Sequence, residues 1–468
     1  MIRLLSAELF RYELRTRIPF RYGIATMIDV PQVVLRVACE IDGRPHAGLA
    51  SDLLPPKWFT KDPARGLADE IEEMLRVLRQ AVRLAEGVRA PTAFSFWREL
   101  YAAQMAWAGA EGLPPLLANF GTSFVERALI HAVCRARGLG LSAAFRCEAL
   151  GCDFAALHPE LAGVRPADVL PAAPPDFVLA RHTVGLADPI TAADLAPGER
   201  VDDGLPQTLD ECIRRYGLRH FKLKIDGRAE RDFERLARIA AVLQAECGAD
   251  FAFSLDGNES FHDVTSFADY FRRLQAAPGL GGFWARLLYV EQPWHRGVAL
   301  SPAIGELARA WPGRPPIIID ESDAEIGSLR TALDLGYAGT SHKNCKGVFK
   351  SVANAALLAR RGGGVMSGED LGNVGPIALT QDLAAQAALG IESVERNGHH
   401  YHTGLSLFPP ALRDFALAAY PDLFVRDAAG GWPRLDLREG RLSVRTVNGA
   451  PFGMPGEPDF SELARVAL

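Results

Sequence analysis

Five short apolar segments of this chain each end in residues that can hold a charge or move a proton. The segments are HFKLKIDG, FAFSLDGN, LLYVEQP, PIIIDESD and TSHKNCKG. In chain order they carry two lysines, three carboxylates and a further lysine, namely Lys222, Lys224, Asp256, Glu291, Asp320 and Lys343. Carboxylates bind hard cations and lysines exchange protons, so the series predicts metal-assisted proton transfer.

The three carboxylates predict a site for one divalent ion. A single acid at the end of a strand could simply cap a neighbouring helix. Asp256, Glu291 and Asp320 all occupy this place, however, and three carboxylates meeting at one edge would repel one another without a cation between them. Oxygen ligands favour Mg²⁺, with Mn²⁺ as the alternative, and the free positions of the ion could hold substrate oxygens.

The lysines predict the acid and base of the reaction. Lys222 and Lys224 are two residues apart, so on a strand they lie on the same side. A neighbouring ammonium and partial burial favour the neutral amine, which makes Lys224 the predicted base. Lys343 lies on a later strand and is expected to approach the opposite face of a bound substrate. Two lysines so placed can remove a proton from one side of a carbon and return it to the other.

The spacing of these residues predicts a (β/α) barrel. From Lys224 onward the charged positions are separated by 23 to 35 residues, the length of a strand, a loop and a helix. Amphipathic stretches that begin at Arg231, Val264 and Val348 supply the helices. The strand segments are continuously apolar, as expected for a parallel sheet buried on both faces. A closed barrel lets the ends of many successive strands converge on one mouth.

Composition limits the partners of the chain. With 468 residues, 48% of them hydrophobic, the chain can bury a large core. Its net charge of −6 is interspersed, so nucleic acid is not expected as a partner. No apolar run reaches membrane-spanning length and the first residues lack the pattern of a signal peptide, so a cytoplasmic location without membrane contact is expected. The seven cysteines include no CxxC pair and predict free thiols.

Three regions are predicted along the chain. Residues 1–165 contain strand patterns followed by helix patterns and predict an α+β domain. A proline-rich connection leads to the predicted barrel, which spans residues 175–410. Residues 411–468 return to strand-and-turn character and are expected to pack on the N-terminal domain.

The chain resembles the enolase superfamily, specifically the mandelate racemase/muconate lactonizing enzyme family, and within it the muconate lactonizing enzyme-like branch most. The motifs KLK, DGN, VEQP, DES and KNCKG carry the resemblance. It implies an α/β fold, a modified TIM barrel with an α+β capping domain completed by the C-terminal segment, and one Mg²⁺. It also implies that Asp256, Glu291 and Asp320 are the metal ligands and that Lys224 and Lys343 form the acid/base pair.

The implied reaction is removal of the proton α to a carboxylate of a small-molecule substrate, through an enediolate. Return of the proton gives racemisation or epimerisation, and ring closure or opening gives cycloisomerisation. Loss of a β-group would instead make the protein a lyase, such as a dehydratase of the o-succinylbenzoate synthase or acid-sugar kind. A barrel that has kept these residues for a non-catalytic role is disfavoured by the full set of ligands and lysines. Relatives of this kind imply a homo-oligomer.

Further residues are predicted to contact the substrate. Two early segments, RIPFRYG and SDLLPPKWFTKDP, lie where relatives place loops that close over the substrate. Two late segments, VMSGEDLGN and SVERNGHHYHTG, follow the seventh and eighth predicted strands. Their histidines could bind a second metal or a polar substrate, but they fit no familiar zinc spacing, and a role as ordinary loop residues is favoured. The substrate-binding candidates are Arg21, Tyr22, Trp58, Asn258, Glu369, Glu395 and His399.

Overall fold

The computed structural model describes the chain from Met1 to Leu468 except residues 23, 307, 308, 310 and 429. The described strands are β1 (Ile2–Tyr22), β2 (Ala25–Ile41), β3 (Arg44–Leu53), β4 (Arg89–Ala90), β5 (Phe177–Val184), β6 (His220–Lys224), β7 (Ala252–Asp256), β8 (Leu287–Glu291), β9 (Ile317–Ile319), β10 (Gly339–His342), β11 (Val365–Gly368), β12 (Ser393–Glu395), β13 (Phe424–Arg426), β14 (Pro433–Leu435), β15 (Arg441–Ser443) and β16 (Ala464–Val466).

The described helices lie mainly between these strands. Within the described residues, none combines the length and the apolar character of a membrane span. The helices are α1 (Leu67–Gly87), α2 (Ala93–Ala110), α3 (Pro115–Arg137), α4 (Leu141–Arg146), α5 (Pro166–Val169), α6 (Leu209–Tyr216), α7 (Ala229–Cys247), α8 (Val264–Gln275), α9 (Gly281–Trp284), α10 (Arg296–Ala299), α11 (Ser328–Asp334), α12 (Val348–Arg360), α13 (Ala378–Ala388), α14 (Gly398–Tyr401), α15 (Pro410–Ala419) and α16 (Arg445–Gly449).

Strands β5 to β12 form a closed ring of eight parallel strands, because β12 pairs with β5. The predicted barrel is therefore confirmed. The strand register also explains why charged residues converge. Lys224 lies opposite Asp256 across one pair of strands, and Asp256 lies opposite Glu291 across the next. The carboxyl ends of these strands are level, so their side chains meet at one mouth of the barrel.

An antiparallel sheet precedes the barrel and confirms the predicted α+β region. Its order is β16-β1-β2-β3, and β4 pairs with the first residues of β1 on the same edge that β16 occupies further along. Helix α3 packs against β2 and β3 and also against α1 and α2. Because neighbours surround it, α3 is buried on every side from Leu116 to Cys134. The helix begins at Pro115, where a proline fits the first helical position.

The C-terminal segment divides its contacts between the two sheets. Strand β16 pairs with β1, as expected for a segment that packs on the N-terminal domain. Strand β15 instead pairs antiparallel with β5 of the barrel. Strand β6 pairs with β5 only from Arg181 onward, so the first residues of β5 keep a free edge that β15 occupies.

Candidate active site

A pocket at the mouth of the barrel gathers most of the predicted site residues. It encloses about 670 Å³ of space between atoms, including its open side. Residues of the N-terminal sheet and of the loop after β3 form its outer wall. The predicted residues that line it are Tyr22, Trp58, Lys222, Lys224, Asp256, Asn258, Asp320, Lys343 and Glu395.

The ammonium group of Lys222 is surrounded by carboxylates. Its Nζ lies 2.9 Å from Glu291 Oε1, 3.0 Å from Glu369 Oε2 and 3.1 Å from Glu395 Oε2. Asp256 Oδ2 follows at 3.2 Å. Burial by itself favours the neutral amine, but these four acids outweigh it and hold the pKa of Lys222 well above its ordinary value. In this arrangement Lys222 is a fixed cation that holds the acids together.

Lys224 is held at the edge of the pocket by the acid and the amide of the DGN segment. Its Nζ donates to Asp256 Oδ2 at 2.8 Å and to Asn258 Oδ1 at 2.9 Å. Asn258 has φ of +47°, a left-handed conformation that asparagine tolerates better than most residues. This turn brings the amide oxygen of Asn258 back toward the lysine. Both lysines of the KLK segment therefore face the pocket, as their two-residue spacing predicts.

Lys343 enters the pocket from the other side of the ring. Its Nζ lies 3.0 Å from both carboxylate oxygens of Asp320 and 2.5 Å from Glu369 Oε2. Burial lowers the pKa of Lys343, but the negative charges of Asp320 and Glu369 outweigh this effect. The pKa of Lys343 therefore lies well above its ordinary value. The ring of Trp58 covers this ammonium, with Nζ 5.3 Å from the ring centre.

Lys346 is a buried cation that the sequence interpretation missed. Its Nζ donates to Asp320 Oδ1, to Ser341 Oγ and to the backbone oxygen of Asp320, each at 2.7 Å. Burial raises the pKa of Asp320, but Lys343 and Lys346 together bring it below its ordinary value. The KNCKG segment does carry this lysine, three residues after Lys343. Only the short helical turn Asn344–Lys346 folds it back toward the same carboxylate.

The acids form a group with the composition of a metal site. Carboxylate oxygens of Glu291, Asp320 and Glu369 all lie within 4.8 Å of one another. Glu291 Oε2 is buried and has no hydrogen-bond partner. Burial, and then the negative charge of Glu369, hold the pKa of Glu291 well above its ordinary value. An unpartnered carboxylate oxygen within a set of hard oxygen donors fits a divalent ion such as Mg²⁺.

The composition of this group differs from the predicted ligand set in one member. Glu369, expected to contact substrate, stands with Glu291 and Asp320, whereas the predicted ligand Asp256 faces Lys222 and Lys224. Burial raises the pKa of Asp256, and these two lysines bring it down to about 2. Asp256 is thus a carboxylate neutralised by lysines, one strand away from the grouped acids.

Three of the predicted substrate-binding residues, Arg21, Glu369 and His399, do not line the pocket, and Glu369 is instead fully buried among the acids described above. Arg21 is exposed and lines a neighbouring groove with Asp226 and Arg228. His399 is buried behind the barrel wall, where its Nε2 lies 3.1 Å from His182 Nδ1. The alternation of side chains along a strand explains the exposure of Arg21, because its neighbour Tyr22 points into the pocket. Helix α14 turns the side chain of His399 away from the mouth.

The outer wall of the pocket is mainly apolar, and part of it comes from RIPFRYG and VMSGEDLGN, two segments that the sequence predicted near the substrate. Phe20 and Met27 come from β1 and β2, and Leu371 follows β11. Tyr22 is fixed there by a 2.7 Å hydrogen bond from its hydroxyl to the backbone oxygen of Pro56. Apolar residues of a sheet normally predict core, so the sequence did not single out these apolar side chains as part of the pocket.

Solved structures share this fold. An enolase from Bradyrhizobium complexed with magnesium and mandelic acid matches with a TM-score of 0.60 at 14% identity, over 100% of this chain and 99% of that chain. A muconate lactonizing enzyme from Pseudomonas fluorescens complexed with muconolactone matches with a TM-score of 0.56 at 20% identity, over 96% and 95% of the two chains. An N-succinyl Arg/Lys racemase from Bacillus cereus matches with a TM-score of 0.58 at 14% identity, over 95% and 97%.

These matches confirm the predicted fold: a modified TIM barrel with a capping domain, as in enolase-superfamily structures, over nearly the whole chain. No protein-family model matches the chain, and no curated protein matches it by sequence.

Proposed function

We propose that this protein removes a proton from the carbon next to a carboxylate of a small molecule, and that the product is a racemised, epimerised or cycloisomerised acid. The observation that carries the proposal is the placement of Lys224 and Lys343. Lys224 ends the second strand and Lys343 follows the sixth strand of an eight-stranded ring; these strands lie opposite each other, and both side chains enter one pocket. Two of the acids that could hold a metal, Asp320 and Glu369, contact Lys343.

The proposal includes one Mg²⁺ held by Glu291 and Asp320, with Asp256 or Glu369 as the third acid. When bound, this ion would stabilise negative charge on the substrate carboxylate during loss of the α-proton. Lys222 and Lys346 contribute positive charge beside the same acids. The charged groups are buried, so their positions are fixed before substrate binds and their fields are weakly screened by water.

The lysines carry the proton. One lysine in its neutral form accepts the proton from one face of the carbon, and the other, as an ammonium, donates a proton to the opposite face. Reversal of these roles runs the reaction in the other direction, as a racemase or epimerase requires. The racemase and the muconate lactonizing enzyme among the similar structures support an isomerase of this kind.

The pocket wall suggests the class of acid. Phe20, Met27, Trp58 and Leu371 face the pocket opposite the charged floor. A substrate with a carboxylate at one end and an apolar or aromatic group at the other would match this division. The apolar group would displace water from the wall, while the carboxylate would lie among the lysines.

Exchange of the α-proton with deuterated water tests the proposal. The protein with Mg²⁺ is incubated with a panel of N-acylamino acids, dipeptides, lactones and hydroxy acids, and mass spectrometry follows uptake of deuterium. We expect exchange with a member that has an apolar group, and loss of turnover in both Lys224→Ala and Lys343→Ala while Mg²⁺ binding and thermal unfolding are retained. Full turnover in either variant would overturn the two-lysine assignment. A product lighter by a leaving group would identify a lyase instead.

A further inference from the structure

A second cluster of metal-binding side chains lies outside the pocket, behind the barrel wall. His182 comes from β5, Cys212 from α6 and His400 from α14, and all three are buried. One ligand atom from each residue lies within 4.8 Å of the other two. The sulfur of Cys212 is 3.5 Å from His400 Nδ1. The three residues are far apart in the sequence, which is why their spacing shows no zinc motif.

The separation of sulfur and nitrogen fits a tetrahedral metal. With a zinc–sulfur bond of about 2.3 Å and a zinc–nitrogen bond of about 2.0 Å, tetrahedral angles place the two ligand atoms about 3.5 Å apart. One thiolate and two imidazoles are also the donors that zinc and similar ions prefer over magnesium. The site therefore differs in chemistry from the all-oxygen acids of the pocket.

The surroundings of the cluster resemble the outer shell of a metal centre. A metal-bound imidazole ordinarily uses its second ring nitrogen for a hydrogen bond, and His182 has such a partner in His399 at 3.1 Å. Arg17 donates to the backbone oxygen of His400 at 3.0 Å, and the hydroxyl of Tyr216 donates to that of His399 at 3.4 Å. These contacts fix the short helix α14 that carries two of the histidines. The second nitrogen of His399, Nδ1, is buried without a partner.

We propose that His182, Cys212 and His400 bind one zinc ion that closes the seam of the barrel. The first strand of the ring, the first helix after it and the helix after the last strand each supply one ligand. The seam between β12 and β5 is where the two ends of the barrel sequence meet. A metal here would link these elements through coordinate bonds, as structural zinc does in other folds. The fourth ligand is water.

Cobalt substitution tests this site because a cobalt–thiolate bond has its own absorption. Full-length protein is stripped of metal, saturated with Mg²⁺ to occupy the acids of the pocket, and titrated with Co²⁺. We expect about one equivalent of cobalt, with a thiolate-to-cobalt charge-transfer band and the intense visible bands of tetrahedral cobalt. Glu291→Gln should leave these bands unchanged, because its carboxylate belongs to the other group of residues.

Cys212→Ser should lose the charge-transfer band, and zinc should no longer raise the midpoint of thermal unfolding. The matched control is Cys247→Ser, a cysteine whose sulfur donates to the backbone oxygen of Leu218 and lies outside the cluster. X-ray absorption on the wild-type protein loaded with zinc gives an answer that depends on no variant. A shell with one sulfur and at least two nitrogens supports the site. An oxygen-only shell, absence of bound zinc, or a cobalt spectrum unchanged in Cys212→Ser overturns it.

Discussion

Replacement of Lys222 by methionine should make the stability of this protein depend on a divalent ion. The Lys222 ammonium lies 2.9 to 3.1 Å from oxygens of Glu291, Glu369 and Glu395. Glu369 keeps Lys343 and Arg181 when Lys222 is removed, but Glu291 and Glu395 both lose their ion pairs to Lys222. Glu291, whose pKa is already raised, can take up a proton, whereas breaking the buried ion pair of Glu395 from one side leaves a charge without compensation and costs about 3–5 kcal/mol. We expect this loss in the presence of a chelator.

Mg²⁺ should restore most of the stability lost in Lys222→Met. The ion can replace the positive charge of the ammonium among the same acids, and binding to the folded state stabilises by RT ln(1 + [Mg²⁺]/Kd), which is about 3 kcal/mol at one hundred times Kd. The assay is urea unfolding followed by circular dichroism, with EDTA and then with saturating Mg²⁺. The readout is the change in the free energy of unfolding that Mg²⁺ produces in each variant.

Lys350→Met is the matched control for this experiment. Lys350 is equally buried, and its Nζ lies 3.0 Å from Asp323 Oδ1 on the outside of the barrel. Its loss should cost a similar amount, but Mg²⁺ should stabilise this variant only as much as it stabilises the wild-type protein, because the acids of the pocket are unchanged. If Mg²⁺ stabilises Lys222→Met no more than Lys350→Met, removal of the ammonium does not strengthen metal binding and the electrostatic reasoning fails.

Three further predictions concern separate residues. Glu291→Gln should weaken Mg²⁺ binding at least tenfold by calorimetry, and an unchanged affinity would remove Glu291 from the ligand set. Burial raises the pKa of Glu126 from 4.5 to about 7, so the folded protein keeps a proton that the unfolded chain releases; stability should fall by about 3 kcal/mol as pH rises from 4.5 to above 7. Urea unfolding of Glu126→Gln should lack this component, and equal pH slopes in both proteins would disprove it. Gly121→Ala should cost about 1–3 kcal/mol, because a Cβ there would lie 2.2 Å from the backbone oxygen of Val77, whereas Gly109→Ala meets no atom and should not destabilise.

The sequence predicted the barrel well because each of its units repeats the same local pattern. Helices α8 and α12 begin at Val264 and Val348, where their amphipathic patterns begin. Strand β7 is the apolar run that ends at Asp256. The strand pairing of the C-terminal segment could not be predicted from such local patterns. Strand β15 has three residues, and its pairing with β5 depends on an edge that only the three-dimensional register leaves free.

The candidate site was predictable where it depends on residues at strand ends. Lys224 and Lys343 reach the pocket because strand alternation and barrel closure place them there. The sequence could not show that Glu369 would lie close to Glu291. Two acids approach each other in this way only where lysine side chains lie beside them, and the direction of those side chains is not visible in the sequence. The contact of Cys212 with His400 joins residues 188 positions apart, which no local pattern reveals.

The most direct test of two lysines on opposite faces uses each enantiomer of the substrate found in the exchange panel. In deuterated water, Lys224→Met should exchange the α-proton of one enantiomer only, Lys343→Met should exchange that of the other only, and neither should interconvert them. This result requires one base on each face of the carbon. Exchange of both enantiomers by either variant, or loss of the same enantiomer in both, would contradict the proposed mechanism.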